Sequence, residues 1–143
     1  MAHTIIYNVE INFGDCDPAG IVFFPNYSKW MDAASLNFFM KNGVPIWHEL
    51  TKINGIIGTP LLEINSKFMM SATYGEKIQI HTCVKEWRDK VFIQEHIVKR
   101  DSDILCIGLE TRAFCTKHPE DSRKIKIVPV PKDIRELCQE LVE

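Results

Sequence analysis

From Ile5 to Phe13 the chain alternates: Ile5, Tyr7, Val9, Ile11 and Phe13 are apolar, with Asn8, Glu10 and Asn12 between them. A period of two predicts a strand with one buried face. The pattern breaks at Gly14-Asp-Cys-Asp-Pro-Ala-Gly20, a run of turn formers. The period then changes, because Tyr27, Trp30, Met31, Ala34 and Phe38 follow the i, i+3, i+4, i+7, i+11 spacing of one helical face. Pro25 suits the first turn of that helix, where a missing N–H costs nothing, and Asn42-Gly43 supplies a left-handed stop. The predicted helix is about 17 residues long, roughly 25 Å. A short helix is expected between Pro45 and Leu50.

The remainder reads as strands. Leu62, Ile64, Phe68 and Met70 alternate with polar residues, as do Ile78, Ile80, Thr82 and Val84. Arg88-Asp89-Lys90 has the look of a hairpin turn, with a strand from Val91 to Lys99 after it. Leu105, Ile107, Leu109 and Ala113 mark another strand, and Ile125 with Ile127 a shorter one. Ile134, Leu137, Cys138 and Leu141 predict a closing amphipathic helix. One strand, one long helix and then a run of strands joined by short turns predict an α+β class with an antiparallel sheet covering the helix. No linker or repeat divides residues 1–143, which reads as a single domain. Apolar residues on both strand faces call for cover from another subunit, so a symmetric homo-oligomer is expected.

Composition removes several classes of function. Lys and Arg number 17 against 19 Asp and Glu, so the basic footprint of a nucleic-acid binder is missing. No apolar run reaches the length of a membrane span, and Asn8, Glu10 and Asn12 break any signal-peptide core; a cytoplasmic location is expected. The 5 cysteines are scattered without a Cys-x-x-Cys pair, which argues against a disulfide framework or structural zinc.

Candidate chemistry concentrates in the loop before the long helix. Asp15 and Asp17 are each able to cap turns, and a metal loop would need a third oxygen ligand at regular spacing. The alternative is catalytic. A helix beginning at Pro25 presents unpaired N–H groups and the positive end of its dipole. The free donors nearest the loop would be those of Phe24 and Asn26, and a carbonyl docked there would be polarised as charge develops on its oxygen. Asp17 would then attack the carbonyl or activate water. Glu63 is a second carboxylate, read as solvated. His81 and His96 are read as surface or interface residues, and Trp30, Phe38, Phe39 and Met40 as core.

The segment Gly14-Asp-Cys-Asp17-Pro-Ala-Gly-Ile-Val, an aromatic pair, Pro25-Asn-Tyr27 and Trp30-x-Asp32-Ala-Ala-Ser35 closely resembles the 4-hydroxybenzoyl-coenzyme A thioesterases. The likeness continues through Gly58-Thr59-Pro60, Thr82-Cys83-Val84-Lys85-Glu86-Trp87-Arg88 and Glu136-Leu137-Cys138. It implies a hot-dog fold, hydrolysis of an acyl-CoA thioester to free acid and coenzyme A, no metal or redox cofactor, and a homotetramer. It also implies residue roles. Asp17 would be the catalytic nucleophile or base, and the Phe24 N–H the polarising donor. Trp47, Thr59, Pro60 and Leu61 would line the acyl pocket, partly from a neighbouring subunit, and Arg88 and Lys90 would meet the CoA phosphates. The chain differs from the nearest family members at Phe23-Phe24, where they carry Trp-Tyr, and at Asp89, which replaces an expected basic residue. The readings that remain open are a short-chain aliphatic acyl-CoA thioesterase and a non-catalytic acyl or CoA binding module.

Overall fold

The computed structural model describes residues 3–139. β1 (Ile5–Glu10) leads through a single 3₁₀ turn at Phe13–Asp15 to the long α1 (Pro25–Lys41), then to α2 (Trp47–Asn54) and β2 (Ile56–Gly58). β3 (Leu61–Phe68), β4 (Lys77–Trp87), β5 (Val91–Arg100), β6 (Asp103–Lys117) and β7 (Ile125–Val128) follow, and α3 (Lys132–Cys138) closes the described chain. The strands form one antiparallel sheet in the order β1-β4-β5-β6-β2, with β3 and β7 also paired to β6. At 15 residues β6 is long enough to serve two sets of neighbours. Residues 103–113 lie between β5 and β3, and residues 114–117 meet β7 and β2. This sheet wrapped about one long helix is the hot-dog arrangement.

α1 lies on the sheet because its apolar stripe is matched by every strand beneath it. Tyr27, Met31 and Ala34 pack with Ile78, Ile80, Val98 and Leu105. One turn further on, Phe38 and Phe39 pack with Phe92, Phe114, Leu50 and Ile134. Gly108 lets the helix approach, since a Cβ there would stand 2.5 Å from the Met31 sulfur. Polar side chains separate these two apolar clusters on each element: Ser35 on α1, Thr82 on β4, Gln94 and His96 on β5, Glu110 and Arg112 on β6, all buried.

That polar band overturns part of the sequence reading. Ile107 and Leu109 face outward on β6, while Gly108, Glu110 and Arg112 face the helix. His96 is fully buried, not a surface residue, because both ring nitrogens find partners inside the band. Phe13 is 77% exposed in the 3₁₀ turn rather than part of a strand, and Met40 is exposed rather than core. The second helix begins two residues after Pro45 and runs on to Asn54, ended by Gly55 in the left-handed conformation (φ 82°). The three-residue β2 has no counterpart in the predicted elements. In the closing helix Ile134 and Cys138 are buried, whereas Leu141 lies outside the described residues.

Candidate active site

The loop before α1 is a small hairpin. Asp17 N–H donates to the Ile21 carbonyl at 2.8 Å, Phe23 N–H to the Asp15 carbonyl at 2.9 Å, and Cys16 bridges to Val22. Gly20 turns the tip at φ 81°, a region that L side chains avoid. The hairpin is tied to the segment after β3 by Val22 N–H on the Ala72 carbonyl (2.9 Å) and Thr73 Oγ1 on the Gly20 carbonyl (2.6 Å).

The two aspartates divide the work. Asp15 is structural: its carboxylate accepts the Asn12 N–H at 2.8 Å, and its carbonyl accepts Asn26 Nδ2 at 2.7 Å. Asp17 Oδ1 accepts the N–H groups of Ala19 (2.9 Å) and Ile21 (3.4 Å). Its Oδ2 accepts none among the described residues, and the side chain is half-buried. A carboxylate held by one oxygen and open at the other has a fixed orientation and an available lone pair.

The helix start resolves which N–H is free. Asn26 N–H is taken by the Phe23 carbonyl at 2.9 Å, Tyr27 N–H by the Phe24 carbonyl at 3.2 Å, and Pro25 has none. Among the described residues the Phe24 N–H alone is left unpaired in this first turn. Its donor sits at the positive end of a 17-residue helix. Phe24 already has φ −53°, which proline accepts. Phe24→Pro is therefore expected to delete the donor with the turn intact and to lower kcat by about 10²- to 10³-fold. Phe24→Leu, which keeps the N–H, should lose at least about tenfold less; equal losses would remove the backbone donor from the account.

Trp47, Thr59 and Pro60 do converge. They line a cavity of about 430 Å³ between α1, α2 and the 57–60 segment, joined by Asp32, Ser35 and Arg112. Leu61 is not part of that lining and is 44% exposed. Asp32 and Arg112 are the residues that sequence reasoning missed. Asp32 stood inside the quoted Trp30-x-Asp32 motif without a role, and Arg112 was hidden by the apparent alternation of β6. The Phe24 side bounds a second, apolar cavity of about 270 Å³ with Tyr27, Phe68, Met69 and Met70. Asp17 lines neither. From Phe24 to Asp32 is eight residues of helix, about 12 Å, and within one protomer neither Phe24 nor Asp17 belongs to the lining of the Trp47 cavity.

Arg88 directly follows the end of β4, and both it and Lys90 in the following turn are exposed. Glu86 grips the Arg88 guanidinium from two sides, Nε to Oε1 at 3.0 Å and Nη2 to Oε2 at 3.1 Å. That hydrogen bond and the attraction between the charges raise the Arg88 pKa and lower that of Glu86. Arg88 also borders a groove of about 560 Å³ on the outer face of the sheet, beside Lys67 and Thr111. Glu63 lies in the same groove, exposed, as expected of a solvated carboxylate.

One other constellation has catalytic residue types. Thr82 Oγ1 is 2.7 Å from His96 Nδ1, and His96 Nε2 is 2.5 Å from Glu110 Oε1. The order hydroxyl, imidazole, carboxylate imitates a nucleophilic triad. All three residues are at most 1% exposed and none lines a described cavity, so no substrate reaches them. The buried thiols are equally inert: burial pushes Cys106 up to about 11 and Cys138 up to about 12, and raises Cys83 and Cys115 as well. Asp17 is the accessible candidate.

The family profile of the thioesterase-like superfamily matches residues 11–137. The chain belongs to that superfamily. Within it, this thioesterase-like chain is 43% identical to the 4-hydroxybenzoyl-CoA thioesterase of Pseudomonas sp. strain CBS-3, over 96% of its own length and 99% of the relative's. An aspartate-to-asparagine variant of a 4-hydroxybenzoyl-CoA thioesterase, solved in complex with 4-hydroxybenzoyl-CoA, superposes with a TM-score of 0.90 at 40% identity, covering 96% of this chain and 100% of that one. A gentisyl-coenzyme A thioesterase superposes at 0.81 with 32% identity, covering 93% and 98%.

Proposed function

We propose that this thioesterase hydrolyses an aromatic acyl-CoA of the 4-hydroxybenzoyl type to the free acid and coenzyme A, with Asp17 as its catalytic carboxylate. The observation that carries this reading is the pairing of the open Asp17 Oδ2 with the unpaired Phe24 N–H, both held by one hairpin at the start of α1. The Phe24 N–H donates to the developing oxyanion. Asp17 either attacks the carbonyl carbon, expelling the CoA thiolate and leaving a mixed anhydride for water to cleave, or removes a proton from the attacking water. Both routes yield one carboxylic acid and one thiol per water consumed, and neither requires a metal or redox cofactor.

The acyl ring would rest against Trp47, Thr59 and Pro60, with Leu61 at the margin, and Arg88 and Lys90 would attract the CoA phosphates. Because Asp17 is not part of the Trp47 cavity lining within one protomer, the working site would be completed by a neighbouring copy. The exposed Leu61, Leu62, Ile64 and Phe68 of edge strand β3 favour that assembly, and a homotetramer in the cytoplasm is the form we expect. The test is thiol release from benzoyl-, 4-hydroxybenzoyl-, phenylacetyl- and short aliphatic acyl-CoAs. Preferential turnover of the benzoyl esters supports the reading; no release from any thioester would leave a binding module in its place.

Glu86 tunes the phosphate contact. Its carboxylate occupies the guanidinium fork that a phosphate would use. Glu86→Gln is expected to lower KM for CoA esters by about two- to fivefold at low salt, the scale of an exposed pair. The difference should fade at high salt as screening takes over; an unchanged KM at low salt would take Arg88 out of the CoA site.

A further inference from the structure

We infer that Arg112 is a positioning residue for the acyl pocket, a clamp that sets the distance between helix α1 and the 58–60 wall. The inference rests on the assignment of the Trp47 cavity as the acyl site. The Arg112 side chain is 5% exposed and reaches three separate pieces of chain. Its Nη1 donates to the Thr59 carbonyl at 2.8 Å, and its Nη2 to Asp32 Oδ1 on α1 at 2.9 Å. Nε and Nη2 also bind the two oxygens of Glu110 at 3.1 and 3.0 Å. Four of the five guanidinium N–H donors are thereby spent on fixed partners.

These bonds have a direction. Glu110 is buried and held on its other side by His96, which is in turn braced by Thr82 across the β4–β5 pair. The sheet therefore fixes Glu110, Glu110 fixes the plane of the guanidinium, and the guanidinium fixes Thr59 and Asp32. Both of those line the cavity together with Arg112 itself. The wall is flanked by β2 and β3, both paired with β6, and the Pro60 carbonyl accepts the Ala113 N–H at 3.2 Å and the Gly58 carbonyl the Cys115 thiol at 3.7 Å; what the side-chain clamp adds is the tie from this wall to Asp32 on helix α1. A planar fork with donors on three edges makes this geometry, and a lysine ammonium cannot span it.

The clamp acts on a bulky acyl group and spares a small one. Arg112→Lys is expected to lower kcat/KM for 4-hydroxybenzoyl-CoA by about 10- to 100-fold, mostly through KM. For acetyl-CoA, which does not fill the cavity, the loss should stay within about threefold. Independently of activity, hydrogen exchange at residues 57–61 should accelerate at least about tenfold in the variant, with β4 and β5 unchanged. Asp32→Ala, which removes an exposed anchor, is read by the same two measurements and should raise KM for the aromatic ester and loosen the wall to a lesser degree; it carries the test if Arg112→Lys does not fold. Unchanged exchange at 57–61 in both folded variants, or equal losses for the aromatic and acetyl esters, would overturn the clamp. A wild type that hydrolyses no acyl-CoA would overturn the thioesterase reading instead, and the exchange rates would still decide the role of Arg112.

Discussion

Replacing Asp17 by asparagine is expected to lower kcat for 4-hydroxybenzoyl-CoA hydrolysis by about 10³-fold or more, at the upper part of the range for loss of a positioned acid–base group. The fold should be unaffected. Asp17 Oδ1 accepts the Ala19 and Ile21 N–H groups, and the asparagine Oδ1 accepts them equally well. What the amide lacks is a basic, nucleophilic second oxygen. The melting temperature should stay within about 2 °C, as for a substitution that keeps its local bonds. Binding should persist too, so that KM changes far less than kcat. A variant that melts normally and still turns over at the wild-type rate would assign the chemistry to another group.

The second large effect is on stability. Glu110→Gln is expected to destabilise the protein by about 3–5 kcal/mol, the cost of stranding a buried charge partner, which corresponds to a fall of roughly 10–20 °C in the melting temperature. Glu110 sits in the polar band between two apolar clusters, bound by Arg112 on one side and His96 on the other. Glutamine keeps one acceptor but places an NH₂ against donors. Burial works to raise the Glu110 carboxyl, but the hydrogen bonds from His96 and Arg112 outweigh it and hold it below the ordinary carboxylate range. A lowered folded value means that the unfolded chain takes up this proton first. The stabilisation is thus complete above about pH 4.3 and is lost as the pH falls through the lowered value. Thermal melts from pH 7 to pH 3 should show that acid limb in the wild type and a flatter one in Glu110→Gln. Equal melting temperatures at pH 7 would mean that the band contributes no net stability.

The long helix and the aspartate hairpin were legible in the sequence because each is local. Tyr27, Met31, Ala34 and Phe38 announce the helix by spacing alone, and Pro25 with the Asp17 loop announces where its free donors lie. What the sequence concealed depends on which way strands face. On β6 the apolar Ile107 and Leu109 suggested the buried side, yet Glu110 and Arg112 occupy it, since they pair with each other and their remaining groups meet His96, Asp32 and the Thr59 carbonyl, the last two 80 and 53 residues from Arg112. His96 was misplaced for the same reason: its carboxylate partner lies on the next strand, 14 residues on, where no sequence spacing marks it. The wall of the Trp47 cavity was half legible. Trp47, Thr59 and Pro60 were found through resemblance and do share a cavity, whereas Leu61 lies outside it. The residues that hold the wall required the strand register. β2 was too short, at three residues, to leave a period.

The measurement that bears most directly on the central claim is the ratio of kcat/KM for 4-hydroxybenzoyl-CoA to that for butyryl-CoA, followed by thiol release from the wild-type protein. The proposed site, in which a neighbouring copy brings the Asp17 carboxylate and the Phe24 N–H to the cavity of Trp47, Thr59 and Pro60, predicts a ratio of about 100 or more, equivalent to roughly 3 kcal/mol of differential transition-state binding. A ratio near one, or a preference for the aliphatic ester, would contradict an aromatic acyl-CoA thioesterase.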